Sequence, residues 1–314
     1  MSTGLVMNWA RPAIGNSVGA ESGSPRSTSR AGSSNCSSQP RFRRTWSPAT
    51  SRSRVPHDEA VFGGAGNQVM ASVAAGGPGL VAVGFGESRG NEGAMVWTSP
   101  DGVTWSRVVH NEVVFGGSGS QGMRSVATGV AGLVAAGYDV SGGDADAAVS
   151  SSPDGITWSR VPHDEVVFGG TLNQDMYSVA TGVAGLVAAG FDQSGGDQDA
   201  AVWTSPDGIT WSRVPHDEVA LGGAGNELMY NVTAGGPGLV AVGWVESGDQ
   251  DAAVWTSPDG ITWSRVPHDE VAFGGGRNQR MTSMTIEGAS LVITGYDSSG
   301  GDQDAAVWIF PDGE

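Results

Sequence analysis

Residues 161–213 read VPHDEVVFGGTLNQDMYSVATGVAGLVAAGFDQSGGDQDAAVWTSPDGITWSR. No part of this stretch keeps a helical period over three turns. Four short runs rich in Val, Ile, Trp, Thr and Ala stand out instead: MYSVATG from Met176, GLVAAGF from Gly185, DAAVWTS from Asp199 and ITWSRVPH from Ile209. Gly, Pro, Asp and Asn clusters separate them, and the connectors VA and PDG are of hairpin size. The unit reads as a four-stranded antiparallel sheet.

The unit recurs. VPHDE or a variant begins at Val55, Val108, Val161, Val214 and Val266, at steps of 53, 53, 53 and 52, and residues 108–160 match residues 161–213 at 41 of 53 positions. A small sheet cannot bury both faces alone, whereas blades packed around an axis can. The expected fold is all-β: a five-bladed β-propeller of four-stranded antiparallel blades over residues 50–314. The lean SVATG run suits the crowded innermost strand, and the Trp- and Val-rich runs suit the outer ones. The last copy stops at VWIFPDGE, before its fourth strand, and the missing ITWSR aligns with TSRSR at 50–54. An N-terminal strand is therefore expected to complete the last blade and close the ring, with Arg52 where other copies carry Trp.

Composition narrows the function. Of 314 residues, 51 are Gly, and all 16 basic residues are Arg. A chain without Lys has neither a Walker A lysine nor a Schiff-base amine. No apolar run reaches the ~18 residues of a membrane-spanning helix. Residues 1–54 carry eight Arg and one acid, Glu21, whereas residues 55–314 carry eight Arg and 32 acids, within an overall charge of −17. So acidic a body argues against nucleic acid. Residues 1–49 read as a disordered Ser/Arg/Gly-rich tail. Its start, MSTGLVMNWARPAIG, is too broken for a secretory signal. The compartment stays open, an extracellular one included if the true start lies elsewhere. Cys36 is the only cysteine, so there is no intrachain disulfide.

The hairpin after the third strand repeats as SPDGVTW from Ser99 and SPDGITW from Ser152, Ser205 and Ser257. This resembles the Asp-box, or bacterial neuraminidase repeat, of sialidase-like propellers, with one residue fewer between Asp and Gly. The resemblance implies a structural role away from any catalytic face for Asp101, Asp154, Asp207 and Asp259, and for Trp105, Trp158, Trp211 and Trp263. It also implies six blades, three arginines gripping a carboxylate, a Tyr–Glu nucleophile pair and an Asp acid. This chain has five units, and Arg107, Arg160, Arg213 and Arg265 sit in the outer strand. No catalytic residue is carried over.

The opposite face would carry the longer loops, where binding sites usually lie. All five His fall in the connector between blades. A second loop carries Asp144 and Asp146, Asp197 and Asp199, Asp249 and Asp251, and Asp302 and Asp304, oxygen ligands that would suit Ca²⁺. Asn67, Gln68, Asn173, Gln174, Asn226, Asn278 and Gln279 precede the inner strand, and amides beside aromatic rings such as Tyr177, Tyr230 and Trp244 recognise sugar hydroxyls. The expectation is a non-enzymatic, multivalent, lectin-like monomer for a glycan or protein ligand, with no cofactor required. A degenerate glycoside hydrolase and a purely structural repeat remain the alternatives.

Overall fold

The computed structural model describes residues 54–88, 91–235, 238–287 and 290–310. The described residues 57–310 belong to one compact unit. The tail over 1–49 and the closing strand expected at 50–53 lie outside the described residues.

Residues 57–310 build five consecutive antiparallel meanders. The first comprises β1 (Gln68–Gly76), β2 (Gly79–Ser88), β3 (Asn91–Ser99) and β4 (Ser106–Arg107). The second comprises β5 (Gln121–Gly129), β6 (Gly132–Asp139), β7 (Asp146–Ser152) and β8 (Ser159–Arg160). The third holds β9 (Gln174–Gly182), β10 (Gly185–Asp192), β11 (Asp199–Ser205) and β12 (Ser212–Arg213). The fourth holds β13 (Glu227–Gly235), β14 (Gly238–Glu246), β15 (Gln250–Ser257) and β16 (Ser264–Arg265). The fifth holds β17 (Gln279–Glu287), β18 (Ser290–Asp297) and β19 (Asp304–Phe310), three strands among the described residues. These are the blades of a five-bladed β-propeller. Each fourth strand is a two-residue pairing, shorter than the ITWSRVPH run, because the SPDG turn consumes the Ile or Val, Thr and Trp before the ladder begins.

First strands pack on first strands: β1 on β5, β5 on β9, β9 on β13 and β13 on β17. The lean composition permits this, and small hydroxyls stitch it. Ser72, Ser125 and Ser178 accept the N–H of Val126, Val179 and Val232 on the next blade at 3.1–3.2 Å. Between blades lie apolar layers, such as Val240, Val242, Ala252 and Val254 of the fourth against Phe273, Met281, Leu291 and Ile293 of the fifth. Trp97, Trp203 and Trp255 are fully buried, and their indole N–H groups hold the carbonyls of Val61, Val167 and Ala220 in the connectors.

Two single-turn helices, α1 (Glu59–Phe62) and α2 (Glu112–Phe115), occupy the first two connectors, capped by the side chains of Asp58 and Asn111. One turn is too short to leave a periodic signal in sequence. The first and fifth blades make no packed interface of comparable extent with each other among the described residues.

Candidate functional site

The SPDG hairpins build tight, self-contained turns. Asp154 Oδ1 accepts the N–H of Ile156 at 2.8 Å and of Thr157 at 2.6 Å, Thr157 Oγ1 donates to Oδ2 at 3.0 Å, and Trp158 Nε1 donates to the Gly155 carbonyl at 3.0 Å. The same pattern recurs at Asp101, Asp207 and Asp259 with Trp105, Trp211 and Trp263. These backbone donors hold all four carboxyls below the usual aspartate range. Gly155 follows at φ 77°, a conformation only glycine adopts cheaply.

The amides expected to meet a ligand are spent on the fold. Asn173, Asn226 and Asn278 each accept, on Oδ1, a backbone N–H from the preceding blade: Ala145 at 3.0 Å, Gln198 at 2.9 Å and Gln250 at 3.2 Å. Asn67 Nδ2 donates to Glu87 at 3.1 Å. Gln174 is fully buried and donates to Asp192 at 2.9 Å and Ser194 at 3.1 Å, and Gln279 does the same with Asp297 and Ser299. Gln68 lacks this arrangement, because Gly86 stands opposite it in β2 where Asp192 faces Gln174 in β10, and its buried Nε2 finds no partner.

The loop aspartates do not converge. Among the described residues no three His, Cys, Asp or Glu side chains come together as a metal cluster. Each His instead turns to the Glu two residues on, as His163 does to Glu165 at 3.1 Å. Burial raises Asp146 and Asp199, which face His163 and His216. Asp144, Asp197, Asp302 and Asp304 bring no such partners together.

Tyr177, Tyr230 and Trp244 do meet, for a reason the sequence hides. Every first strand slips register once against its second strand. The extra residue at each slip is Ala71, Arg124, Tyr177, Tyr230 or Thr282, and a bulge re-aims such a side chain. A glycine lies behind each: a Cβ on Gly84, Gly137, Gly190, Gly243 or Gly295 would overlap a carbonyl oxygen of the bulged strand. The re-aimed residues form a row. Arg124 binds Asp175 through Nε at 2.8 Å and a terminal nitrogen at 2.7 Å, and its guanidinium lies 4.8 Å from the Tyr138 ring and 4.4 Å from the Tyr177 ring. Tyr177 meets Tyr230 edge-on at 5.3 Å. Arg280 takes Tyr230 Oη at 3.0 Å and Gln250 Oε1 at 2.6 Å, over the Trp244 ring at 4.8 Å. Burial lifts Asp175 to about 6 despite Arg124.

The fourth blade departs from the others at one buried spot. In the third, Gln174 and Arg213 share Asp192, and Arg213 also binds the carbonyls of Val167 and Gly169. In the fourth, Glu227 replaces the Gln and Val245 stands across from it. Arg265 is left with the Val219 carbonyl at 3.5 Å and Glu227 Oε1 at 3.7 Å. A cavity of 540 Å³ opens there, lined by Glu227, Val245, Ser247, Asp251, Arg265 and His268, among others. Glu227 is 2% exposed, and its Oε2 has no partner. Burial pushes its carboxyl up to about 8; Arg265 opposes this, and Asp199 adds to it. Near neutral pH this group is mostly a protonated acid, both donor and acceptor. Glu227 lay in plain sight, since aligned copies carry Gln68, Gln121, Gln174 and Gln279 at its position. A smaller cavity, 370 Å³, lies by Glu92, His110, Glu112 and Gln121.

The sequence matches no protein-family model. No curated protein matches it. Among solved structures, the chain is similar to a glycosyl hydrolase from Bacteroides ovatus, with 15% identity, TM-score 0.43, and 76% of this chain and 82% of that one covered. It is also similar to Zg3597, a family 117 glycoside hydrolase of Zobellia galactanivorans, with 12% identity, TM-score 0.38, and 73% and 78% covered. A third is a Bombyx mori GH32 β-fructofuranosidase, with 9% identity, TM-score 0.44, and 77% and 63% covered. With TM-scores below 0.5, what this chain does rests on its own geometry.

Proposed function

We propose that the chain is a non-enzymatic binding propeller of lectin-like type that takes a neutral, polyhydroxylated ligand in the fourth-blade cavity. The observation that carries this reading is the buried Glu227 carboxyl, with an oxygen unpartnered at the wall of a 540 Å³ space. That volume suits a small ligand. A protonated carboxyl offers a hydroxyl donor and a carbonyl acceptor, which matches the mixed demand of sugar hydroxyls. Ser247, Asp251 and Arg265 add polar groups, and Val245, Val266 and Phe273 add an apolar wall. The acidic body favours a neutral ligand over an anionic one. Glu227 and Val245 occur in this blade alone, so the five copies do not offer five equal sites.

One observation favours a second reading. Glu227 and Asp251 are two carboxyls on one cavity, and an acid poised near 8 can serve as a proton donor in glycoside hydrolysis. Screening neutral glycans by array and calorimetry at pH 6.5 and 9, beside a panel of fluorogenic glycosides, separates the two. Binding that weakens at least tenfold in Glu227→Ala and at pH 9, without turnover, supports the lectin-like reading. Turnover abolished by Glu227→Gln supports the hydrolase. Absence of any glycan binding, or binding indifferent to both changes, overturns the site.

A further inference from the structure

Independently of that cavity, we infer that the fifth blade of one copy receives the first blade of a second copy, so that the protein associates head to tail. Each of the four internal junctions joins the same two surfaces. The leading surface of a blade offers a Met and an apolar residue three places on from its first strand, as in Met229 and Val232, both buried. The trailing surface of the blade before it offers the second and third strands, as in Val242 and Val254, both about 1% exposed or less. At the two ends of the array these surfaces lie bare. Met70 and Val73, the first blade's counterparts of Met229 and Val232, are 41% and 58% exposed. Val307, the fifth blade's counterpart of Val254, is 62% exposed, and Ala305, the counterpart of buried Ala252, is exposed as well. Burying such side chains is what holds the inner blades together, so the ends expose an apolar surface that the chain already knows how to cover.

The internal junctions also specify the register. Ala147, Ala200 and Ala252 each donate a backbone N–H to the connector ahead, at Phe168, Leu221 and Phe273, all at 2.9 Å. The equivalent pair at the ends is Ala305 N–H and the Phe62 carbonyl. Gln198 and Gln250 each donate a backbone N–H to the Asn of the next blade, at 2.9 Å and 3.2 Å. The equivalents are Gln303 N–H and Asn67 Oδ1. A second copy of this chain therefore presents to Val307 the same apolar and polar pattern that Phe273 and Met281 present to Val254. Among the described residues the two surfaces stay exposed, and the surface that matches each of them is the opposite end of another copy. The interface is heterologous: each copy uses one end to receive and the other to insert. Such an arrangement replaces the monomer expected from a ring sealed within one chain.

The test is sedimentation and light scattering of the full chain over a dilution series reaching about 100 μM. The expected result is concentration-dependent association that Val73→Arg or Val307→Arg weakens on the order of 100-fold, since either buries an unpaired charge at the contact. Both positions are exposed in the single chain, and unchanged far-UV circular dichroism checks that folding survives. The two variants keep opposite ends intact, so their equimolar mixture is expected to form a dimer and nothing larger. A wild-type chain that stays monomeric throughout, variants that associate as the wild type does, or a mixture that yields no dimer overturns the inference.

Discussion

Replacing Glu227 by Gln restores the residue that the other four blades carry, and it isolates one proton. The Glu227 carboxyl rises from 4.5 to about 8 on folding. Between those values the folded chain holds a proton that the unfolded chain has released. A group with a raised folded value stabilises fully below its unfolded value, and that contribution is lost as pH rises through the folded one. The slope is about 1.4 kcal/mol per pH unit for one proton. From pH 5 to 7.5 the wild type should therefore lose about 3 kcal/mol that Glu227→Gln keeps. At pH 5 the variant should stand about 1 kcal/mol below the wild type, because Val245 offers its amide no acceptor. The stability difference should change sign near pH 6. Urea unfolding followed by tryptophan fluorescence at pH 5, 6, 7 and 7.5 measures it. Asp175 and Asp146 also titrate, but they are present in both chains and cancel; Asp199, whose charge helps raise Glu227, cancels only in part. A difference that stays flat with pH would mean that Arg265 keeps Glu227 ionised, and the protonated acid at the cavity would be refuted.

Three further outcomes are expected. Gly190→Ala should cost about 3 kcal/mol or more, because its Cβ would overlap the Asp175 carbonyl behind the bulge, whereas Gly276→Ala, with open space around it, should be close to neutral; thermal unfolding compares the two. Arg124→Met leaves the buried Asp175 without its partner, so it should cost about 3–5 kcal/mol at pH 8 and distinctly less at pH 5, where a carboxyl near 6 is mostly protonated; denaturant unfolding at both pH values checks the ratio. The four Asp-box carboxyls are held below 3.8, so their contribution is present above that pH and lost as pH falls through their folded values; Asp154→Asn should make acid unfolding shallower, as read by circular dichroism between pH 5 and 2.

The blade was legible because its signals are local. Short Val- and Trp-rich runs between hairpin turns, repeated at a fixed step, leave few other ways to bury a small sheet. The SPDG hairpin was legible as a turn for the same reason, since its Ser, Asp, Gly, Thr and Trp find their partners within the same seven residues. The structural bonds of Asn173, Asn226 and Asn278 left no trace in the sequence because their partners sit about 28 residues back, on the preceding blade, as Asn226 does with Gln198. Composition alone cannot tell an amide that joins blades from one that waits for a sugar. The bulge row escaped notice because one skipped pairing at Tyr177 leaves no mark in composition; the only trace is a glycine before the aromatic of the second strand, as in Gly190–Phe191. The exposure of Val73 and Val307 escaped it because packing of the end blades depends on the rotation from blade to blade, which the repeat length does not state.

Comparison of the blades shows what sets the fourth-blade cavity apart. The second and third blades share a buried triad of Gln, Asp and Arg, as at Gln174, Asp192 and Arg213. The first blade lost only the Asp, at Gly86, and its buried Gln68 Nε2 is stranded as a result. A lone change of Gln to Glu would have set two carboxyls against one guanidinium. The fourth blade changed both members, so a single carboxyl, Glu227, again faces Arg265. Charge is conserved across the exchange, but hydrogen bonding is not. Val245 cannot orient the arginine, the arginine no longer fills the space, and the carboxyl that took over is too deeply buried to stay ionised near neutral pH. The fourth blade keeps a protonatable group at the wall of an open cavity, which is the arrangement a ligand can use.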